Sequence, residues 1–152
     1  MDSARLWQAM KESGAVWEHP GDNRAPHVVL RSGKHSDGFV DTLQFLSNVT
    51  DLGIMAKGLV KKLRRALGIK VDWVVGSPMA GIPFATAVAP LLGARQIGFN
   101  EKAKGSGQEL ICRFDIEPGD NFLMVEETTT LGATPQRGIE AVEKKNPEAM
   151  AL

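Results

Sequence analysis

The 152-residue chain lacks several features that would assign it to a specialised class of protein. Cys112 is its single cysteine, so no internal disulfide can form, which is typical of a reducing compartment. Eighteen basic residues balance 18 acidic ones, so no broad positive field is available for nucleic acid or an anionic membrane. No apolar run approaches the roughly 20 residues of a membrane span, and the N-terminus lacks the apolar stretch of a signal peptide. We therefore expect a cytoplasmic protein without nucleic-acid or membrane partners.

Familiar ligand-binding signatures are missing as well. There is no Walker P-loop and no G-x-G-x-x-G motif. The three histidines, His19, His27 and His35, have no Cys or acidic neighbour at tight metal-ligand spacing, so we predict no metal role for them. Cys112 lies in an apolar segment and is expected in the core rather than as a nucleophile.

The periodicity of apolar residues indicates an α/β protein. Helices are expected at 3–12, 51–67, 82–92 and 133–145, and strands at 27–31, 39–46, 71–75, 94–99, 109–114 and 121–125. Alternating strands and helices predict right-handed βαβ units and a mostly parallel sheet flanked by helices. We divide the chain into an N-terminal helix and flap, 1–46, and an α/β core, 47–152.

Ligands of such sheets bind beyond the carboxyl ends of the strands, here 76–81, 100–108 and 126–134. The third stretch carries the strongest signal. It reads Glu126-Glu127-Thr128-Thr129-Thr130-Leu131-Gly132-Ala133-Thr134. A helix start offers free N–H groups to a phosphate, the threonines add hydroxyls, and Gly132 permits close approach. The paired carboxylates suit vicinal hydroxyls, or Mg²⁺ held through water. Together these groups match a ribose 5-phosphate, although an ordinary helix cap with nearby acids would give the same pattern.

This segment resembles the signature of the type I phosphoribosyltransferases. In that resemblance Glu126 and Glu127 fill the acidic pair, and the phosphate cradle is formed by Thr130, Gly132, Ala133 and Thr134. It implies the fold of that family, with a small N-terminal hood, binding of 5-phosphoribosyl-1-pyrophosphate by residues 126–134, and Mg²⁺ held indirectly by the two glutamates. The second acid of the family is usually Asp, and a smaller residue is common where Leu131 stands.

A second loop joins a strand to a helix and can present backbone N–H groups to an anion. It reads Ser77-Pro78-Met79-Ala80-Gly81. With the following Ile-Pro it resembles the pyrophosphate-binding loop of orotate phosphoribosyltransferases, and an ordinary βα turn is the alternative. Those enzymes usually carry a basic residue where Ala80 stands.

The N-terminal flap, 30–41, resembles that of the same family. The resemblance assigns Arg31, Lys34 and Phe39 to the nucleobase, with Arg31 offering a fork of donors to a carboxylate. A surface hairpin with a solvated arginine is the alternative.

The polar stretch 99–107 resembles the mobile catalytic loop of the family. Lys102 and Lys104 are the candidates for the lysine that this loop supplies. A solvated charged loop is the alternative.

The resemblance covers about 28–142 and implies transfer of ribose 5-phosphate to a nucleobase, orotate by first choice. Lys102, Lys104 and Glu127 are then the expected catalytic residues, and a homodimer is the expected assembly. Orotate enzymes continue with a further strand and an arginine beyond the point where this chain stops, at Leu152. The core of this chain is therefore either truncated at its C-terminus or a shortened form of the family core. A non-catalytic module that binds the donor or a nucleotide and a purine phosphoribosyltransferase are the alternative functions.

Overall fold

The computed structural model describes residues 3–30, 32–66, 68–105 and 110–152. The chain separates into two compact units, Met1–Asp51 and Leu52–Leu152. The elements up to the boundary are α1 (Ser3–Glu12), β1 (Val16–Glu18), β2 (Val28–Val29), β3 (His35–Ser36), β4 (Gly38–Val40) and α2 (Thr42–Leu46), and α3 (Val49–Ala66) crosses it. The remaining elements are β5 (Trp73–Gly76), α4 (Gly81–Leu92), β6 (Gln96–Lys102), β7 (Leu110–Cys112), β8 (Asn121–Val125), α5 (Ala133–Lys145) and β9 (Met150–Ala151).

The N-terminal unit contains two short antiparallel ribbons. β1 pairs with β4, which places Trp17 opposite Phe39, and β2 pairs with β3. The strand predicted at 27–31 is confined to Val28–Val29 among the described residues. The strand predicted at 39–46 is wrong beyond Val40, because the Asp41 carboxylate accepts a hydrogen bond from the Leu43 amide at 3.1 Å and begins α2. An N-cap of this kind favours a helix over a continued strand.

The second unit is built on a five-stranded sheet in the order β7-β6-β5-β8-β9. The pairs β5–β6, β5–β8 and β8–β9 are parallel, and β6–β7 is antiparallel. The predicted α/β fold with a mostly parallel sheet is therefore confirmed. The edge strand β9 was not predicted, because it has only two residues, which pair with β8.

Alternating side chains of the central strands pack on opposite faces of the sheet. Val74 and Leu123 lie with Val88 in the cluster that α3 and α4 cover, whereas Val75 and Phe122 lie in the cluster that α5 covers. Full burial of each such side chain contributes about 1.5–3 kcal/mol. Two apolar layers therefore hold β5 and β8 in fixed register, and the loops that follow these strands start from a rigid base.

Asp72 closes the amino-terminal edge of the sheet and is only 4% exposed. Its carboxylate accepts hydrogen bonds from Lys70 Nζ at 2.6 Å, the Asn121 amide at 3.2 Å and Arg95 Nε at 3.3 Å. The Lys70 hydrogen bond, followed by that of the Asn121 amide, lowers the pKa of Asp72 against the opposing effect of burial. Asp72 thus ties together the starts of β5, β6 and β8.

Candidate active site

The carboxyl ends of three neighbouring strands place the candidate residues at one edge of the sheet. Gly76 at the end of β5 is level with Phe99 in β6 and with Val125 at the end of β8. The next residues, Ser77, Asn100 and Glu126, consequently emerge side by side. The Ser77 amide donates to the Val125 carbonyl at 3.1 Å, which joins the first loop directly to the second.

The loop after β8 ends in a helix start without a capping side chain. Gly132 is the N-cap of α5, with φ of 74°, and makes no side-chain cap hydrogen bond. Glycine adopts this left-handed conformation readily, whereas an L side chain at this position would be strained. The loop residues Thr128, Thr129, Thr130 and Leu131 are exposed, and Thr134 is half-buried. The first turn of α5 therefore has its positive end unshielded by side chains of its own cap.

The two acids of this loop are half-buried, and one oxygen of each is left without a partner. Glu126 Oε2 and Glu127 Oε2 are both buried and make no hydrogen bond. Burial raises the pKa of Glu126, and the Glu127 charge adds to this rise, while a hydrogen bond from Ser77 and the charge of Arg137 oppose it. Unpaired buried acceptors are costly, so these oxygens are suited to receive hydroxyl or water donors from a ligand.

The loop after β5 is compact because two glycines bring its ends together. A Cβ at Gly76 would overlap the Gly81 carbonyl group, and one at Gly81 would lie 2.9 Å from the Val125 oxygen. Ser77 is fully buried, Pro78–Met79 is joined by a cis peptide bond, and the Met79 side chain is 76% exposed. Ala80 is buried, so the position where the resemblance implies a basic residue holds no charge here.

Two polar residues that the sequence patterns did not predict, Asn100 and Arg137, complete this edge. Asn100 is fully buried, and its Nδ2 donates to the Gly138 carbonyl at 2.9 Å, while its Oδ1 has no partner. Arg137 in α5 has a buried, unpaired Nε, and its Nη2 lies 3.4 Å from Thr134 Oγ1. The sequence signals were a polar residue at the end of an apolar strand and an arginine three residues after Thr134 on the same helix face.

The candidate catalytic lysines follow the end of β6. Lys102 is the last residue of β6 and pairs with Leu110 of β7, whereas Lys104 lies in the turn after it; both are exposed. The strand thus runs further than the predicted 94–99. Residues 106–109 of the predicted mobile loop lie outside the described residues.

The candidate base-binding residues all belong to the N-terminal unit. Arg31 lies outside the described residues. Lys34 is exposed in the turn between β2 and β3, and Phe39 is 46% exposed on β4. Phe39 lines a surface cavity of about 600 Å³ together with Trp7, Trp17 and other residues of this unit.

The donor set offers no direct metal cage. Within the ranges described, no group of three or more His, Cys, Asp or Glu side chains could hold a metal ion. Two of the histidines of the N-terminal unit instead contact each other: the rings of His19 and His27 stack with centroids 4.2 Å apart, and the Gly21 amide donates to His19 Nδ1 at 3.1 Å. Two adjacent carboxylates with unpaired oxygens fit a Mg²⁺ ion bound through water or ribose oxygens, as the resemblance implied.

None of the helices in the described residues has the length and apolar character that crossing a membrane requires.

Comparisons with known proteins bear on the family and the fold of the chain. A scan against protein-family models found no match. An orotate phosphoribosyltransferase of Thermococcus gammatolerans is 33% identical over 148 residues, covering 97% of this chain and 74% of that protein. The crystal structure of orotate phosphoribosyltransferase from Aeropyrum pernix matches with a TM-score of 0.75 at 22% identity, over 96% of this chain and 76% of that one. Adenine phosphoribosyltransferase from Saccharomyces cerevisiae matches with a TM-score of 0.68 at 22% identity, over 98% of this chain and 85% of that one. The expected type I phosphoribosyltransferase fold is thereby confirmed.

Proposed function

This chain belongs to the orotate phosphoribosyltransferase family, and we propose that it transfers ribose 5-phosphate from 5-phosphoribosyl-1-pyrophosphate to a ring nitrogen of orotate. The observation that carries this proposal is the loop after β8. It sets two buried, unpaired carboxylate oxygens, of Glu126 and Glu127, immediately before the glycine-capped start of α5. Acceptors at one end and helix N–H groups at the other complement a sugar with a phosphate.

The two ends of this loop have separate tasks in the proposal. Glu126 and Glu127 accept hydrogen bonds from the ribose hydroxyls, and the helix start at Thr128 to Thr134 holds the 5-phosphate. The donors at a helix N-terminus stabilise a dianionic group through their dipole as well as their hydrogen bonds. Fixing the sugar at both ends restricts its orientation, and this restriction lowers the entropic barrier to reaction.

The leaving pyrophosphate is assigned to the loop Ser77-Pro78-Met79-Ala80-Gly81. Its closeness to the acids follows from the Ser77 amide, which donates to the last residue of β8. Mg²⁺, held indirectly by Glu126 and Glu127, would neutralise charge on the pyrophosphate. Lys102 or Lys104 would add a positive charge as the pyrophosphate departs. Bond cleavage leaves oxocarbenium character on the ribose, which the Glu127 carboxylate would stabilise electrostatically.

The nucleobase is assigned to the N-terminal hood, for which we keep the boundary at residue 46. Arg31 and Lys34 would hold the carboxylate of orotate, and Phe39 would provide an apolar wall. A cytoplasmic homodimer is the corresponding expectation for location and assembly. Light scattering on the purified chain measures the dimer directly.

One observation favours a second candidate, a non-catalytic module that binds the same donor. Ala80 is buried and uncharged in the loop assigned to pyrophosphate, so this loop offers backbone N–H groups and the Ser77 hydroxyl but no charged side chain. A site of that kind could bind the donor without stabilising the charge that builds up in the reaction. A purine phosphoribosyltransferase shares the fold, as the adenine enzyme shows, but no feature of the described residues favours a purine.

A single assay distinguishes these functions. Protein, Mg²⁺ and the donor are mixed with orotate, adenine, guanine or hypoxanthine, and pyrophosphate release is followed. Release with orotate alone supports the proposal, and release with a purine alone supports the third function. Saturable donor binding in calorimetry without release in any mixture would support the binding module.

A further inference from the structure

Arg137 lies within the first turns of α5, three residues after Thr134. Side chains three apart on a helix face each other, so the arginine can reach back towards the helix start. The Arg137 Nη2 atom is 3.4 Å from Thr134 Oγ1, which is a long hydrogen bond. The arginine thereby contacts one of the hydroxyls assigned to the 5-phosphate.

The direction of this hydrogen bond is set by chemistry. A guanidinium group has only donors, so the Thr134 oxygen must accept. The hydroxyl proton of Thr134 is then directed away from Arg137 and remains available for donation. A phosphate oxygen can only accept from that hydroxyl, so the arginine orients it in the sense that phosphate binding requires.

The position of Arg137 is fixed by the packing of the residue that follows it. The Gly138 carbonyl accepts from Asn100 Nδ2 at 2.9 Å, and a Cβ at Gly138 would lie 2.8 Å from the Met124 side chain. α5 is therefore seated directly on the ends of β6 and β8 at this point. The Arg137 side chain is half-buried, with its Nε buried and unpaired, so it lies against the protein rather than extending into solvent.

We propose that Arg137 is a positioning residue of the phosphate site, which orients the Thr134 hydroxyl as a donor to the 5-phosphate of the sugar. This inference rests on the proposed function, because it names a further residue of the same site. It assigns to Arg137 a task at the phosphate end of the donor and none at the pyrophosphate end.

The test uses two probes, ribose 5-phosphate and inorganic pyrophosphate, with calorimetry on the full chain. Arg137→Met is expected to weaken ribose 5-phosphate binding about tenfold and to leave pyrophosphate affinity within about twofold. Arg137→Lys keeps a charged donor and should restore affinity to within about threefold of wild type. Gln136→Met, an exposed neighbour on the same helix, is the matched control and should bind both probes normally.

A double-mutant cycle with Thr134→Val separates positioning from general support of the fold. If Arg137 acts through the hydroxyl, Arg137→Met causes no further loss once that hydroxyl is gone. The inference would be overturned if Arg137→Met lowered ribose 5-phosphate affinity equally in the wild-type and Thr134→Val backgrounds. It would also be overturned if Arg137→Met lowered the affinity for both probes in parallel. If Arg137→Met does not fold, the cycle is run with Arg137→Ala, which also removes every side-chain donor, under the same criteria. A wild-type chain that binds neither probe would overturn the proposed function itself, whereas normal ribose 5-phosphate binding by Arg137→Met overturns only this inference.

Discussion

Replacement of Glu126 by Gln is expected to weaken ligand binding without lowering the stability of the fold. Glu126 is half-buried, with one oxygen unpaired, and burial raises its pKa. A raised pKa in the folded state means that the ionised carboxylate is less stable there than in the unfolded chain. The neutral amide removes this cost, so the free energy of unfolding at neutral pH should be unchanged or higher. Function is expected to suffer instead, a common trade-off at binding sites.

The loss of donor binding follows from the hydrogen bond that the carboxylate would accept from a ribose hydroxyl. Such a bond to a charged group is worth about 1.5–3 kcal/mol, which corresponds to roughly a 10- to 150-fold weaker affinity. Calorimetry with 5-phosphoribosyl-1-pyrophosphate and Mg²⁺ measures this loss, and urea denaturation measures stability. Glu143→Gln makes the same chemical change at an exposed position of α5 and is the control. Unchanged donor affinity in Glu126→Gln, or a fall in stability of more than about 1 kcal/mol, would refute the reasoning.

Three further perturbations test separate parts of the molecule. Asp72→Asn should cost about 1–3 kcal/mol of unfolding free energy at neutral pH, since the buried carboxylate accepts from three donors. The pKa of Asp72 is lowered in the folded state, so its carboxylate stabilises the fold above the unfolded-state pKa, and this contribution is lost as the pH falls through the folded-state pKa. The unfolding free energies of wild type and Asp72→Asn should therefore converge below about pH 4. A constant difference between them down to about pH 2 would contradict this. One of the two single variants Lys102→Ala and Lys104→Ala should show a kcat about 100-fold lower, with donor affinity nearly unchanged. A double variant with the wild-type kcat would exclude both lysines as catalytic residues. Gly76→Ala should reduce folded yield and pyrophosphate binding, because its Cβ overlaps the following loop; a well-folded variant that binds normally would show that the loop tolerates a side chain.

The segment around the strongest motif was predictable because its signals are local. The strand Asn121–Val125 and the helix Ala133–Lys145 have the predicted bounds. An apolar run of strand length, two acids and a glycine before an amphipathic stretch define each boundary within a few residues. The arrangement of the three loops at one edge also followed, since parallel strands bring their carboxyl ends together.

The N-terminal unit was less predictable because its strands are short and depend on pairing. Phe39 is in β4 as expected, but Leu46 belongs to α2. Asp41 is an N-cap in the structure, and Asp is a common residue at that position, so treating it as a cap would have ended the strand at Val40. β9 could not be predicted, because its two residues, Met150 and Ala151, form a strand only by pairing with β8. A two-residue pairing leaves no periodicity to detect.

Asn100 and Arg137 were missed for a different reason. Asn100 acts through a contact with a distant element, its hydrogen bond to Gly138 of α5, whereas Arg137 contacts Thr134 of its own helix. A polar residue near a strand end and an arginine on a helix each have an ordinary interpretation as surface residues. Only their burial and their unpaired atoms distinguish them, and neither property can be read from spacing.

The two edges of the same sheet differ in how their buried polar atoms are satisfied. At the amino-terminal edge, Asp72 has donors on both oxygens and a lowered pKa. At the carboxyl edge, Glu126, Glu127, Asn100 and Arg137 each keep a buried atom without a partner. These four are the unpaired buried side-chain atoms in the described part of the chain, and all belong to the edge where three loops meet. A fold optimised only for stability would pair them, because each unpaired atom costs about 1–3 kcal/mol. Their confinement to one edge is explained if a polar ligand or the water that it displaces completes their hydrogen bonds.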